Sequence, residues 1–281
     1  MTLPLWPSCI AAPLLSFDRE RPNFRRIETL TLNTRAPPMQ ATHDIMIRKL
    51  SEHSDLRPED LAELRRLTSY SRALGPNEDF VRQGDKPVVS ALVTSGMVAR
   101  YHVLNSGQRQ YLSFHITGDM PDAQTLFIER MDHAVCALGE ASVALIPHDE
   151  ICGLFERRPA VGMAIWRETL IDAAIFREAI TNNSSRPVET RMAHLFCELY
   201  YRARASGLAR PGACRVPLHQ GQIGETLGMS IVTVNRTLQG LRRTGAMEFR
   251  NAELTVFDWK KLAELGDFDP NYLHLKRPSR L

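Results

Sequence analysis

The sequence predicts an α+β chain in which an antiparallel β-roll precedes a long helix and a small helical C-terminal domain. Three patterns support this order. Glycines at 84, 96, 107 and 118 separate short stretches rich in Val, Tyr and Phe, such as ALVTSGMVARYHV. An apolar seam then continues through residues 158–184 at helical spacing. Two short helical patterns finally flank Gly228, and a predicted strand and short helix follow them.

Composition is typical of a folded globular protein. The chain has 281 residues, of which 43% are hydrophobic and 24% charged, and this length suits two domains of ordinary size. A net charge of +3 permits nucleic acid as a partner but does not by itself indicate one. No apolar run approaches the ~20 residues of a membrane span, and the five cysteines are scattered without a CxxC pair. We therefore expect a cytoplasmic protein with no membrane partner and with reduced thiols.

The N-terminal half divides into a tail and a sensor domain. Residues 1–42 lack sustained periodicity and carry several prolines, which predicts a disordered tail. Met39 and Met46 stand before the first convincing helical pattern, so translation could begin there and not at Met1. Residues 43–157 begin with helical spacing, including a helix start at Pro58, and continue as the predicted β-roll.

Residues 158–184 form the predicted long helix. An a/d seam of residues spaced three and four apart lies on one side, and a second line of isoleucines widens the apolar face. A helix that is apolar on two sides is buried twice, so we expect one side to pack on the roll and the other on a second copy of the chain. The alternative is a core helix within one chain. The seam comprises Met163, Trp166, Leu170, Ala173, Arg177 and Ile180, and the second line Ile165, Ile171 and Ile175.

A helix-turn-helix motif lies within the predicted C-terminal domain, residues 185–268. Its first helix needs an apolar residue at the fourth position, a tiny one at the fifth and Gly at the ninth. Counted from Gln220, these positions hold Ile223, Gly224 and Gly228. Gly224 permits close approach of the second helix, and Gly228 permits the positive φ of the turn. Ser230 is placed to cap the second helix.

The second helix has the composition of a DNA-recognition helix. Its first turns can meet base edges in the major groove, where the Arg236 guanidinium could bind guanine O6 and N7 together. Arg242 and Arg243 suit phosphate contacts, although a solvated helix end is an equal interpretation. The hairpin predicted around Asn251 would form a wing, and residues 269–281 a C-terminal tail. Candidate DNA contacts are Ser230, Ile231, Val232, Thr233, Asn235, Arg236, Gln239, Arg242 and Arg243.

The run from about residue 45 to 265 resembles the Crp/Fnr family of bacterial transcription regulators. The match is closest in IGETLGMSIVTVNRTLQGLRRTGAMEF, which includes the family's arginine at Arg236. The resemblance implies a cyclic-nucleotide-binding-like β-roll, a dimerisation helix and a winged helix-turn-helix. It also implies double-stranded DNA and RNA polymerase as partners. Val232 stands where family members often carry an acidic residue that accepts from cytosine, so we expect a different half-site.

The sensor half departs from the cyclic-nucleotide binders of that family. Where they carry Glu for the ribose and Arg-Ser/Thr-Ala for the phosphate, this chain has Ala123 and Asp132-His133-Ala134. A carboxylate facing the phosphate would repel it, so we expect no cyclic AMP binding, with Arg130 as the one alternative cation nearby. The candidate effector pocket comprises Gly118, Asp119, Ala123, Asp132 and His133, for an effector that the sequence does not identify.

Other cofactors find little support. The iron–sulfur members use a cluster of N-terminal cysteines, whereas Cys9 stands alone here. Haem would need axial ligands, and no spacing selects any of the available histidines, His115, His133, His148 and His194. Cys197 is an oxidation-switch candidate whose simpler interpretation is a small buried apolar residue. We predict no cofactor and no metal site.

The sequence thus predicts a homodimeric, sequence-specific transcription regulator that binds a pseudo-palindromic site. The alternative is a ligand-binding or adaptor protein with no specific DNA site. An enzyme is not expected, because the sequence has no nucleophile elbow, no Gly-rich phosphate loop before a helix and no HExxH motif.

Overall fold

The computed structural model describes residues 39–276, with the side chains described from residue 42 onward. Residues 1–38 of the predicted tail, including Cys9, lie outside this range, as do residues 277–281, whereas the last four residues of that predicted tail, 39–42, belong to the first helix. Two helices open the described part of the chain, α1 (Met39–Ser51) and α2 (Pro58–Leu64). Pro58 is the first residue of α2, and the Asp60 carboxylate accepts a hydrogen bond from the backbone N–H of Arg57 at 3.0 Å. The sequence shows apolar residues at helical spacing from Ile45 to Arg72, which predicts helix too far along the chain, because a strand already begins at Tyr70.

Seven antiparallel strands build the β-roll as two sheets. One sheet has the order β1-β7-β3 and the other β2-β6-β4-β5. Gly96 joins β3 to β4 with φ 78°, and a Cβ there would lie 2.5 Å from the carbonyl oxygen of Glu140. The strands are β1 (Tyr70–Leu74), β2 (Asp79–Val81), β3 (Val89–Ser95), β4 (Met97–Val103), β5 (Arg109–Ile116), β6 (Ala134–Ala137) and β7 (Ala141–Pro147), with a 3₁₀ helix at Ala123–Leu126.

Two helices follow the roll, α3 (His148–Arg157) and the long α4 (Pro159–Ser185). The inner side of α4 buries Val161, Ala164 and Ile165 in one cluster with residues of the roll and of α1 to α3. The opposite side leaves its large apolar residues open, because exposed fractions there are 62% for Met163, 48% for Trp166, 50% for Leu170 and 68% for Ile180. Within this single chain, the predicted a/d seam is therefore largely uncovered.

The C-terminal domain is a winged helix-turn-helix. Its three-stranded sheet has the order β8-β10-β9, and its hairpin turns through Asn251 and Ala252, both with positive φ as two-residue hairpin loops require. The core of this domain is continuous with the roll, since Tyr111 and Phe114 of β5 belong to the same buried cluster as Ile223. The elements are α5 (Val188–Ala205), β8 (Ala213–Arg215), α6 (Gln220–Leu227), α7 (Ile231–Arg243), β9 (Met247–Arg250), β10 (Glu253–Val256) and α8 (Trp259–Leu265).

The end of the described chain corrects one prediction. Residues 269–276, assigned from the sequence to a tail, pack against the molecule through a 3₁₀ helix at Pro270–Leu273, and Leu273 is only 2% exposed. The sequence signal was weak because the segment is short and carries few apolar residues. Across residues 39–276, no helix combines the length and the apolar character that a bilayer crossing requires.

Candidate nucleic-acid interface and sensor cavity

The turn between α6 and α7 depends on two glycines. Gly228 ends α6 in the left-handed region, with φ 65° and ψ 43°. A Cβ on Gly224 would lie 2.5 Å from the carbonyl oxygen of Met229, so only glycine allows this approach. Ser230 caps the N-terminus of α7, where its hydroxyl accepts a hydrogen bond from the backbone N–H of Thr233 at 3.2 Å. These local interactions fix the direction of α7.

One side of α7 is buried and the other is open. Val234, Thr237 and Leu241 face the core of the domain. The buried Thr237 hydroxyl is satisfied within the helix, because it donates to the carbonyl oxygen of Thr233 at 2.8 Å. On the open side, Ile231 is 61% and Val232 79% exposed. The other exposed side chains of the predicted DNA face are Ser230, Asn235, Arg236, Gln239, Arg242 and Arg243, and Thr233 is half-buried.

The cations on this face differ in how far they are already paired. The Arg242 guanidinium contacts the Glu248 carboxylate at 3.2 Å, with 64% of the arginine side chain exposed. For Arg236, residues 39–276 supply neither a hydrogen bond nor an ion pair. Gln239 donates to the Asn235 side-chain oxygen at 2.8 Å, which orders two amide groups beside Arg236. The face thus offers an unpaired guanidinium, oriented amides and two exposed aliphatic side chains.

The sensor half has a cavity of quite different character, between the roll, α4 and α5. Its volume is about 30 Å³, room for little more than a water molecule. Arg100 of β4 is 3% exposed and lies along its wall. The Arg100 guanidinium donates to the carbonyl oxygen of Pro121 at 2.6 Å, pairs with the Asp172 carboxylate of α4 and lies 5.5 Å from the centre of the Phe176 ring.

Asp119 is the centre of a buried ion cluster at the same cavity. Its carboxylate contacts Lys49 of α1 at 3.1 Å and Arg202 of α5 at 2.6 Å, and it accepts from the backbone N–H of Ile116 at 2.8 Å. Although burial opposes ionisation, the two cations hold the pKa of Asp119 well below its usual range. Lys49 also pairs with Glu168 of α4 at 3.3 Å. Ion pairs at this cavity therefore join α1, α4, α5 and the roll.

The structure brings together only part of the predicted effector pocket. Asp119 and Ala123 line the cavity, and Gly118 packs beside Lys49. Asp132 instead points to solvent, with 76% of its side chain exposed and its carboxylate 2.7 Å from the Nδ1 of His133. His133 is buried outside the cavity lining and lies 3.4 Å from Gln124. The expected repulsion between Asp132 and a bound phosphate therefore has no counterpart in this geometry.

Arg130, the alternative cation expected near a bound phosphate, does not line the cavity either. Arg130 lies on the surface and donates to the carbonyl oxygen of Gly84 at 3.1 Å. The residues that do govern the cavity were missed from the sequence. The available signal was a charge inside an apolar strand, Arg100 in MVARYHV, together with acidic residues on the inner side of the long helix. The missed residues are Lys49, Arg100, Glu168, Asp172 and Arg202.

The four cysteines in the described range do not supply a cluster site. An iron–sulfur cluster takes four thiolates held together, but Cys136, Cys197 and Cys214 are buried in β6, α5 and β8, and Cys152 is exposed on α3. Cys9 is the only cysteine that precedes Cys136 in the sequence. The donor set of this chain therefore does not fit such a cluster. Among residues 39–276, no group of three or more His, Cys, Asp or Glu side chains is arranged to hold a metal ion.

Cys197 is unsuited to be a redox switch. It is fully buried in α5, and its thiol contacts the carbonyl oxygen of Leu262 at 3.5 Å. Burial raises the pKa of the Cys197 thiol, so the reactive thiolate is disfavoured.

The histidines considered as haem ligands each have a neighbour at hydrogen-bond distance. His115 lies 2.9 Å from the Ser113 hydroxyl, and His194 lies 3.0 Å from the carbonyl oxygen of Gly266. His133 contacts Asp132 and His148 contacts Ser90.

Comparison with known proteins places both halves in one family. The Crp-like helix-turn-helix domain family matches residues 190–265, and the cyclic nucleotide-binding domain family matches residues 71–158. The chain is 24% identical over 236 residues to the transcriptional activator protein Anr of Pseudomonas aeruginosa, covering 84% of this chain and 96% of Anr. It is 22% identical over 228 residues to the fumarate and nitrate reduction regulatory protein of Escherichia coli, covering 81% and 91%.

Solved structures share the fold. FixK2 from Bradyrhizobium japonicum has a TM-score of 0.64 at 22% identity, covering 71% of this chain and 98% of FixK2. The regulator CLP from Xanthomonas campestris, described as responsive to c-di-GMP, has a TM-score of 0.54 at 16% identity, covering 76% and 98%.

A β-roll joined by a long helix to a winged helix-turn-helix with an open recognition face defines a DNA-binding transcription regulator. The chain belongs to the Crp/Fnr family, and its relatives are regulators and not enzymes.

Proposed function

We propose that this regulator binds a pseudo-palindromic duplex as a homodimer, with one α7 in each of two major-groove segments. The observation that carries the proposal is the open face of α7, where an unpaired Arg236 stands beside two exposed aliphatic side chains. Two-fold symmetry then requires half-sites one helical turn apart, roughly 34 Å. A regulator of this kind acts where the chromosome is, so we place it in the cytoplasm.

The second copy is expected on the outer side of α4. Met163, Trp166, Leu170 and Ile180 are each about half exposed or more, an arrangement that monomeric proteins rarely leave on one helix. Phe127 of the roll extends this patch, because its ring lies edge-on 6.1 Å from Trp166 and is 61% exposed. A twin α4 would cover this line through a/d packing.

Base contacts are assigned by chemistry and position. Arg236 suits guanine, because a guanidinium can donate to O6 and N7 at once. Ile231 and Val232 can contact only apolar groups, and the thymine methyl is the one such group in the major groove. Arg242 and Arg243 in the last turn suit phosphates. The remaining polar candidates are Ser230, Thr233, Asn235 and Gln239.

Cyclic AMP does not fit the sensor cavity as it stands. The space of about 30 Å³ is far below the ~300 Å³ of common ligand pockets. Arg100 is the cavity cation that we considered as a phosphate partner, and it already contacts the Asp172 carboxylate and a backbone carbonyl. We therefore propose that DNA binding does not require this nucleotide.

The relatives' names suggest how this regulator acts on transcription. Anr is called a transcriptional activator, and on that basis we propose that this protein activates transcription through RNA polymerase. Several relatives are called anaerobic regulatory proteins. Because the cysteines of this chain do not fit a four-thiolate cluster, we do not transfer cluster-based sensing to it.

Selection of bound duplexes from a random pool tests the proposal. Purified protein is incubated with the pool at fixed salt, and bound sequences are read beside those bound by Arg236→Ala and by Arg66→Ala. Arg66 is an exposed arginine on the sensor side, after α2, and serves as the matched control. We expect one palindrome for the wild type and the control, and a loss of ~10–100-fold in affinity for Arg236→Ala.

An adaptor protein without a specific DNA site would give a different result. In that case no palindrome is enriched, and Arg236→Ala binds DNA as the wild type does. Sedimentation of Leu170→Glu tests the dimer separately, because a charge at the centre of the seam should leave monomers. The same change at exposed Leu208, beyond the end of α5, should leave the dimer intact.

A further inference from the structure

The C-terminal segment joins the DNA-binding domain to the sensor half. Here it is called the strap and comprises residues 267–276. The family match to the helix-turn-helix domain ends at residue 265, where α8 also ends. The chain then reverses at Asp267, which has φ 46°, and Phe268 packs against the aromatic rings of Trp259 and Tyr201, each 5.8 Å away. The first residues of the strap are therefore packed against the DNA-binding domain.

The middle of the strap bridges α5 and α4. The hydroxyl of Tyr272 donates to the Glu198 carboxylate of α5 at 2.8 Å. Leu273 is buried in a cluster with Ile171 and Ile175 of α4 and Tyr201 of α5. Leu273 therefore packs against both helices near the point where the DNA-binding domain follows the long helix.

The end of the strap reaches α1 of the sensor half. The backbone N–H of Lys276 donates to the carbonyl oxygen of Glu52 at 2.9 Å, and its ammonium pairs with the Asp55 carboxylate. Glu52, the residue directly after α1, in turn accepts from the Ser206 hydroxyl at 2.8 Å, which ties it to the end of α5. Ten residues thus cross from the DNA-binding domain to the other half of the molecule.

Beneath the strap lies the buried ion cluster. Glu198 receives Tyr272 on one oxygen and Arg202 on the other, the latter at 3.1 Å. Arg202 continues to Asp119 of the roll, and Asp119 continues to Lys49 of α1. Leu273 and Leu275 complete the cavity wall over these charges. The strap therefore shields the ionic contact between roll and α5 from water, which strengthens that contact.

We propose that the strap is an intramolecular tether that docks the DNA-binding domain on α1 and α4, and that its release frees that domain to reorient. The recognition face of α7 stays exposed in the docked state, so docking prepares the domain for DNA. Two pre-oriented domains in a dimer can engage both half-sites at once with less loss of conformational freedom. The effect of the tether on DNA binding rests on the proposed function, in which a dimer binds a palindromic site.

Hydrogen exchange on the full chain tests the tether without DNA. The variant carries Tyr272→Phe, Leu273→Ala and Lys276→Ala, which removes the three side-chain contacts and keeps the backbone. We expect exchange to rise ~10-fold at residues 198–206 and 49–54, with β3 and β7 unchanged. Tyr272→Phe alone should give a smaller rise at residues 198–206. The matched control is Tyr70→Phe on β1, with no change expected.

DNA binding supplies the second readout. Affinity of the triple variant for the selected palindrome should fall ~5–10-fold, while affinity for a duplex with one half-site stays within ~2-fold of wild type. Wild-type exchange in the triple variant would overturn the proposal, as would an equal rise in β3 and β7, which would mark the segment as part of the general core. If the wild type selects no duplex, the proposed function fails, and exchange still decides the tether.

Discussion

The two functional regions of this molecule treat charge in opposite ways. On α7, Arg236 is exposed and no group in the described chain pairs with it, so its hydrogen-bonding capacity is available to another molecule. At the sensor cavity, Arg100 and Arg202 are buried, the Lys49 side chain is only 11% exposed, and each of the three already contacts a carboxylate. A free cation on the surface serves recognition, whereas a paired cation inside holds elements together. The difference separates a face whose cation is open to another molecule from an interior whose charges are already paired.

The exposed apolar residues also fall into two kinds, one on α7 and the other on α4. Val232 and Ile231 on α7 are isolated aliphatics beside polar groups, as a base-reading surface requires. Trp166 and Leu170 on α4 belong to a continuous line at helical spacing, as a helix–helix contact requires. We therefore propose that the same chain offers one surface to DNA and another to a second copy of itself.

Loss of the Asp119 carboxylate should have the largest effect. Asp119→Ala leaves Lys49 and Arg202 without their shared partner in a buried site, so the free energy of unfolding should fall by about 3–5 kcal/mol. Chemical denaturation measures this loss. Asp132→Ala is the matched control, because its side chain is 76% exposed and its contact with His133 should be worth at most ~1 kcal/mol. Equal losses for the two variants would remove the distinction between buried and exposed charge.

Asp122 gives the cavity region a pH dependence. Burial raises the pKa of its carboxyl to about 7, even though it accepts from the backbone N–H of Ala91 at 2.8 Å. A carboxyl with a raised pKa stabilises the fold at low pH, and this contribution is lost as pH rises from about 4 through about 7. Between pH 5 and 8, wild type should lose about 1–3 kcal/mol more stability than Asp122→Asn, which keeps the acceptor oxygen. Parallel pH curves would contradict this.

A change at Val232 tests whether the exposed aliphatics of α7 face the bases. Val232→Glu introduces an acceptor for a cytosine amino group, so the selected half-site should change at one base pair, with a preference of about 1–2 kcal/mol. Repeating the duplex selection measures it. Val103→Glu, at the similarly exposed end of β4, should leave the site unchanged. An unaltered site for Val232→Glu would mean that this residue does not face the bases.

The smallest effect is expected from Arg242. Its contact with Glu248 and its position in the last turn of α7 suggest phosphate binding without base readout. Arg242→Ala should weaken binding to all duplexes alike and lower the salt slope of log affinity by about 0.9 for each phosphate that the variant no longer neutralises. Affinities measured across a salt series provide this slope. A changed base preference would instead assign Arg242 to a base edge.

The sequence predicted the DNA-binding half better than the sensor half, for a physical reason. A helix-turn-helix is local, so Gly224, Gly228 and Ser230 fix its geometry from within a dozen residues. The sensor cavity is assembled from residues 49 to 275. No periodicity links Lys49, Asp119 and Arg202, and their pairing appears only after α1, the roll and α5 have packed together. Asp132 was misplaced because its pocket position was inferred from the family pattern, whereas its side chain points outward.

The strap shows the same limit. Besides one proline, residues 269–276 include only two leucines and one tyrosine among polar residues, a composition typical of a loose chain end. Their packing depends on a groove between α4 and α5 that exists only in the folded molecule.

The central claim is that the DNA face is open, whereas the sensor is self-paired, meaning that the charges at its cavity already contact one another. Its most direct test is the affinity for the selected palindrome with and without cyclic AMP. The titration uses wild-type protein at fixed salt, and the nucleotide is raised to about 1 mM, where a ligand of micromolar Kd would saturate its site. We predict the same affinity in both conditions, within ~2-fold. Binding that appears only with cyclic AMP would contradict a self-paired sensor, because the nucleotide could act only after displacing the buried pairing of Arg100 and Asp172.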